Sequence, residues 1–188
     1  MGTLVGDVAR IAGVLGEAGV PYELIGGVAA LVHILGKDTS RSFVCPEIDL
    51  LIRREDLSQL VTAAEAAGYQ ARKIVGGYMI VLPNQHPGEA VHVIFAGERS
   101  KSTQPVPHPS VAPESMQFFD LRLPVAPLED LVRMKLSSFR AKDQMHLETL
   151  DEAGLIGEDV EAGLPGVLRE RLAQARRQWL AEKPDVES

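Results

Sequence analysis

The sequence predicts an α+β domain: a mixed β-sheet of about five strands flanked by helices, with further helices at the C-terminus. Two observations carry this reading. Apolar residues recur at helical spacing in 3–18, again in 57–64, and again after Pro127. Between these stretches lie short runs rich in Val, Ile, Leu and Tyr, bounded by glycine or proline, which is how strands read.

Residues 3–18 place Leu4, Val8, Ile11, Ala12 and Leu15 on one helical face, and Gly19 suits the C-cap. Tyr22-Glu23-Leu24-Ile25 is a short strand running into Gly26-Gly27, and the Ala-rich apolar run Val28–Leu35 is a buried helix. Gly36–Pro46 is a polar loop that delivers the chain to Cys45-Pro46-Glu47-Ile48-Asp49-Leu50-Leu51-Ile52, read as a strand. Leu57, Leu60, Val61 and Ala64 form the face of a helix closed by Gly68. Tyr69–Val75, Tyr78–Leu82 and Ala90–Phe95 are three further strands, the first two joined at Gly76-Gly77 and the last two by a loop at Pro83–Gly88. Gly97–Ser115, with four prolines, reads as a loop or mobile flap. Leu121–Val125 adds an edge strand, the place where Pro124 costs no ladder hydrogen bond. Pro127 opens a helix with the stripe Leu128, Leu131, Val132, Leu136 and Phe139. A helix after Arg140 carries Leu147 and Leu150, 154–163 is a turn region, and Val167–Lys183 is a last helix.

Composition bounds the function. At 188 residues the chain is one domain, or one with a small appendage. Cys45 is its only cysteine, so an intrachain disulfide is excluded and a reducing cytoplasm is the expected location. No apolar run reaches the ~18 residues of a membrane helix. A net charge of −7 argues against strong general nucleic-acid binding.

The chemistry concentrates in three places. Glu47 and Asp49 are two residues apart, so on a strand both face one side while Ile48, Leu50 and Ile52 face the other. Carboxylates that close repel unless a cation or proton sits between them, which points to a divalent metal; a solvated strand end is the alternative. Strand, Gly-Gly, helix lets a phosphate approach backbone N–H groups at a helix N-terminus, or is only a tight turn. Lys135 falls inside an apolar stripe, so its ammonium meets a structural carboxylate, meets a ligand phosphate, or snorkels to water. Arg140 and Asp143 form a second polar cluster turned inward. His33 and His86 are expected to have no role, and Arg169, Arg171, Arg176 and Arg177 to form a solvated face or a partner surface.

Taken in order, Ile25-Gly26-Gly27-Val28-Ala29, Glu47-Ile48-Asp49-Leu50-Leu51, Ala90-Val91-His92-Val93-Ile94 and Pro127-Leu128-Glu129-Asp130-Leu131 followed by Lys135, Arg140, Lys142 and Asp143 resemble the minimal nucleotidyltransferase domain of the polymerase-β-like superfamily. The small bacterial proteins of toxin–antitoxin and abortive-infection systems are the most similar group. The resemblance spans roughly residues 3–155. It implies a nucleotidyltransferase-like α/β domain at 1–126, a helical segment at 127–183 packed on it, and a frayed tail at 184–188. It further implies Gly26 and Gly27 as a phosphate turn and Glu47 and Asp49 as ligands of Mg²⁺ or Mn²⁺. Lys135 and Arg140 would be nucleotide contacts, and ATP or another nucleoside triphosphate the substrate.

Several positions depart from the family. Glu47 stands where Asp is usual, His92 stands at the third acid position, and His146 stands where another acid is expected. Phe43-Val44-Cys45 replaces the usual basic and hydroxyl residues, in a loop longer than usual. Three readings follow: an active nucleotidyltransferase with Glu47, Asp49 and His92 as its catalytic set; a non-catalytic nucleotide- or partner-binding module of antitoxin type, meeting a partner protein through 97–115 or the Arg169–Trp179 helix; or a site selecting a transition metal.

Overall fold

The structure is a computed structural model that describes residues 2–40, 47–81 and 90–182. Cys45-Pro46 at the head of the expected acid strand, the Pro83–Gly88 loop with His86, and the 184–188 tail lie outside the described residues.

Helix α1 (Gly2–Glu17) buries Val8, Ile11 and Leu15 and ends at Gly19, whose φ of 67° is the left-handed cap the periodicity anticipates. Strand β1 (Tyr22–Ile25) passes directly into α2 (Gly26–Lys37), β2 (Ile48–Ile52) follows, and a 3₁₀ turn at Arg54–Asp56 leads into α3 (Leu57–Ala66). The hairpin β3 (Gln70–Ile74) and β4 (Gly77–Val81) precedes β5 (Val91–Phe95). A ribbon of β6 (Glu114–Phe118) and β7 (Leu121–Val125) precedes the helices α4 (Leu128–Ser138), α5 (Ala141–Glu152), α6 (Glu158–Gly163) and α7 (Gly166–Glu182).

The sheet is mixed, in the order β3-β4-β5-β2-β1-β7-β6. β2 runs antiparallel to β1 and parallel to β5. Strand alternation then sorts the side chains. Leu24, Ile48, Leu50, Ile52, Val91, Val93 and Phe95 join the main core with α1, α2 and α3. The other face carries Ile25, Leu51 and Ile94, which pack with Ala126, Met134 and Val111. Asp49 and His92 share that second face, so the acids sit on a partly apolar floor rather than in the main core.

The expectation of about five strands is corrected to seven. β6 escapes a sequence reading because Glu114-Ser115-Met116-Gln117-Phe118 has only two apolar residues, Met116 and Phe118, and is mostly exposed. Its strand character comes from pairing with β7 across a turn at Phe119, where φ is 54°. Nor is β7 an edge strand. It lies between β6 and β1, and Pro124 is tolerated because the pairing to β1 is confined to Leu24↔Val125. The 154–163 turn region contains α6.

Segment 97–113 has no regular structure but is held at many points. His108 N–H donates to Glu98 O and Gly97 N–H to His108 O. Ser137 Oγ donates to Val106 O, and Ala112 N–H to the Glu23 carboxylate. Arg54 pairs with Glu98 while stacking 3.7 Å from the Phe95 ring centroid. The segment is a loop, tied by these bonds to β1 through Glu23 and to α4 through Ser137.

Two arginines of α7 do structural work, against the expectation of a solvated face. Arg176 bonds Asp151, Glu161 and Ile156 O, tying α5, α6 and α7 together, and Arg171 donates to Leu136 O at the end of α4. Among the described residues no helix is long and apolar enough to cross a membrane.

Candidate active site

The register of three strands builds the acid cluster. Ile25 pairs with Asp49 across β1–β2, and Asp49 pairs with His92 across β2–β5. Glu47 immediately precedes β2, on the same face as Asp49. One ligand atom from each of Glu47, Asp49 and His92 lies within 4.8 Å of the others, all three side chains being half-buried. His92 Nδ1 is 3.4 Å from Asp49 Oδ1, and that contact holds the imidazole above its ordinary pKa, against the opposing effect of burial.

Gly26 has a specific reason to be glycine. Its φ is 66°, and a Cβ there would lie 1.9 Å from Asp49 Oδ2. The strand-to-helix turn therefore packs its backbone directly against the second carboxylate, which no side chain at position 26 permits. Gly27 is buried in the first turn of α2 and is not among the described residues lining the cleft.

The cations come from the junction of α4 and α5. Phe139, in the left-handed conformation, ends α4, and Arg140 begins α5. Asp143 Oδ2 accepts from the Arg140 backbone N–H (3.1 Å), from Arg140 Nε (2.8 Å) and from Ser138 Oγ (2.8 Å). Burial opposes ionisation of Asp143, but Arg140, Lys135 and Ser138 together hold its pKa below the ordinary carboxylate value. Lys135 is 3% exposed, which removes snorkelling. Its ammonium is 2.8 Å from His146 Nδ1 and 3.9 Å from Asp143 Oδ1. Lys142 reaches back across the cleft and forms an ion pair with Glu47.

These groups line one cleft of about 330 Å³. Gly26, Glu47, Asp49 and His92 form its floor, and Lys135, Ser138, Arg140, Lys142 and Asp143 one wall. The β3–β4 turn with Ser100, Lys101, Thr103 and Gln104 lines the cleft as well. Gly76 matters there, since a Cβ on it would lie 2.6 Å from Ser100 O. The structure thus brings Gly26, Glu47, Asp49, His92, Lys135 and Arg140 together and leaves Gly27 behind them. His33 is buried and bonded to Ala126 O, away from the cleft. Sequence reasoning assigned no role to Lys142. Its pairing spans 95 positions, and no local pattern signals it.

Two carboxylates and an imidazole make a mixed oxygen–nitrogen donor set. It suits Mn²⁺ or another first-row transition metal at least as well as Mg²⁺, which favours oxygen.

No family model matches the chain, and no curated protein does. Solved structures do. The solution structure of the antibiotic-resistance factor ANT(2'')-Ia aligns with a TM-score of 0.61 at 16% identity, covering 95% of this chain and 94% of that one. The crystal structure of ANT(2'')-Ia in complex with adenylyl-2''-tobramycin gives 0.61 at 18% identity, covering 94% and 99%. An antigenic nucleotidyltransferase-like protein from Paracoccidioides brasiliensis gives 0.50 at 14%, covering 95% and 88%. At these identities the likeness is one of architecture, and the chain has the fold of the nucleotidyltransferases.

Proposed function

We propose that the cleft binds a nucleoside triphosphate with a divalent cation and transfers the nucleoside monophosphate to a hydroxyl acceptor. The observation that carries this is that one cleft is lined both by the Glu47–Asp49–His92 cluster and by the cations Lys135, Arg140 and Lys142. A triphosphate with its metal needs both signs of charge a few ångströms apart. On this reading 1–126 supplies the acids and the turn at Gly26, and 127–183 supplies the cations.

Glu47 and Asp49 would hold the cation, with His92 as third donor; Mn²⁺ fits this set better than Mg²⁺. When bound, the metal supplies charge neutralisation on the transferring phosphate. The chain's own residues do the rest. Gly26, which lines the cleft at the start of α2, leaves room for a phosphate to approach the backbone, and Arg140 and Lys142 balance the leaving pyrophosphate. Gly26 keeps Asp49 fixed against that turn. His92, held toward its protonated form by Asp49, is poorly suited to remove the acceptor proton until Asp49 is otherwise engaged.

The acceptor class differs from that of ANT(2'')-Ia, whose structure holds adenylylated tobramycin. Among the described lining residues the acids are Glu47, Asp49 and Asp143; Glu47 faces Lys142, Asp143 faces Arg140, and Asp49 faces the His92 imidazole. Lys101 adds positive charge to the lining. A neutral or anionic acceptor suits such a surface, and a polycation does not.

A second reading has its own support. Lys142 on Glu47 and His92 beside Asp49 occupy the acid pair from within the chain, which fits an antitoxin-like module that binds a nucleotide or a partner without turning it over. Isothermal calorimetry of ATP with Mn²⁺, followed by an assay for pyrophosphate release, separates the two. Binding with release supports transfer, binding without release supports the second reading, and no binding to the wild-type chain removes both nucleotide readings.

A further inference from the structure

The proposed function leaves His146 without a task, although it is buried on α5 with its Nδ1 2.8 Å from Lys135 Nζ. It is not among the described residues lining the cleft, whereas Lys135 is. An ammonium donates only, so the Nδ1 lone pair accepts and the ring proton sits on Nε2. Burial first, and the Lys135 ammonium second, push the imidazole pKa down to about 4, so the ring is neutral.

A neutral acceptor behind a lysine does something a carboxylate cannot. It fixes the direction of the ammonium without cancelling its charge. Asp143, the nearby carboxylate, stands further off at 3.9 Å and gives its short contacts to Ser138 and Arg140. Lys135 has four rotatable side-chain bonds, and ordering them only when a ligand arrives costs binding free energy. We propose that His146 is a positioning residue that holds the Lys135 ammonium toward the phosphate-bearing end of a ligand in the cleft. This rests on the anionic-ligand part of the reading above, and it goes beyond it by assigning a residue behind the cleft wall.

The test uses the full chain and two probes, inorganic pyrophosphate and ATP, each titrated calorimetrically with Mn²⁺. His146→Leu removes the acceptor, His146→Gln keeps one, and Lys135→Met removes the ammonium. The expected result is roughly tenfold weaker binding of both probes by His146→Leu and a similar loss by Lys135→Met. The double variant is expected to lose no more than Lys135→Met, and His146→Gln to recover most of the affinity. Wild-type affinity in His146→Leu, or a loss that adds to that of Lys135→Met, overturns the proposal and leaves the nucleotide reading standing. Pyrophosphate binding without ATP binding in the wild type does the reverse. If neither probe binds, both fall. Should His146→Leu fail to fold, ¹⁵N chemical shifts of the wild-type imidazole decide: the Nε2–H tautomer supports the arrangement, and the Nδ1–H tautomer overturns it.

Discussion

Replacing Lys142 by Met should strengthen metal binding and weaken nucleotide binding at the same time. Lys142 pairs with Glu47 while the two side chains are 40% and 32% exposed. A cation entering between Glu47 and Asp49 has to displace that ammonium from Glu47. At such exposure an ion pair contributes about 0.2–1 kcal/mol. Mutual repulsion of the two acids, once the ammonium is gone, adds an amount of similar order. Together they come to about 1–1.5 kcal/mol, or roughly five- to tenfold in the Mn²⁺ dissociation constant. A displaced Lys142 still lines the cleft and is then placed for a phosphate, so its loss should weaken ATP binding measured at saturating Mn²⁺. Calorimetry of Mn²⁺ alone, then of ATP with Mn²⁺, reads both effects on one preparation. Unchanged or weaker Mn²⁺ binding in Lys142→Met would show that the lysine does not compete for Glu47, and the reasoning would fail.

Three other outcomes are expected. Glu23 is fully buried, with Oε1 unpartnered among the described residues, and burial pushes its pKa from 4.5 up to about 7. The fold favours its protonated form, so this stabilisation is complete below the ordinary carboxylate pKa and is lost as pH rises through about 7. Glu23→Gln should therefore match the wild type near pH 4 and exceed it by up to about 3 kcal/mol above pH 8, read by urea denaturation; parallel pH profiles would refute this. Gly26→Ala should cost about 1–2 kcal/mol for the left-handed backbone, displace Asp49 and abolish specific Mn²⁺ binding; a variant that keeps wild-type Mn²⁺ affinity would show that the turn and the acid are independent. Tobramycin should neither bind nor accept a nucleotide, and calorimetric binding near micromolar would mean that the paired acids do not set the acceptor class.

How far the sequence led depends on whether a feature was local. Strand β1, the turn at Gly26 and helix α2 followed from local order alone, because Tyr22-Glu23-Leu24-Ile25 running into two glycines and then an Ala-rich apolar stretch reads as strand, turn and helix. The shared face of Glu47 and Asp49 followed from strand period, and the inward Lys135 from helical period. Long-range events were not legible. The resemblance had set His92 at the third acid position, but only the β2–β5 register puts it opposite Asp49, and the pairing of Lys142 with Glu47 depends on how α5 docks. β6 is a strand by virtue of its neighbour rather than its residues, which hid the seven-stranded sheet. The proline-rich 97–113 segment gave no local signal because its bonds join distant positions: Gly97 and Glu98 to His108 through backbone groups, and Val106 O to the Ser137 hydroxyl.

The central claim is that one cleft brings a metal and a triphosphate together. A crystal structure with a non-hydrolysable ATP analogue and Mn²⁺ tests it most directly. The expected result is an anomalous Mn²⁺ peak between Glu47 and Asp49, with the phosphates over Gly26 and within reach of Arg140, Lys142 and Lys135. Mn²⁺ absent from the acid pair, or an analogue bound away from this cleft, would contradict it.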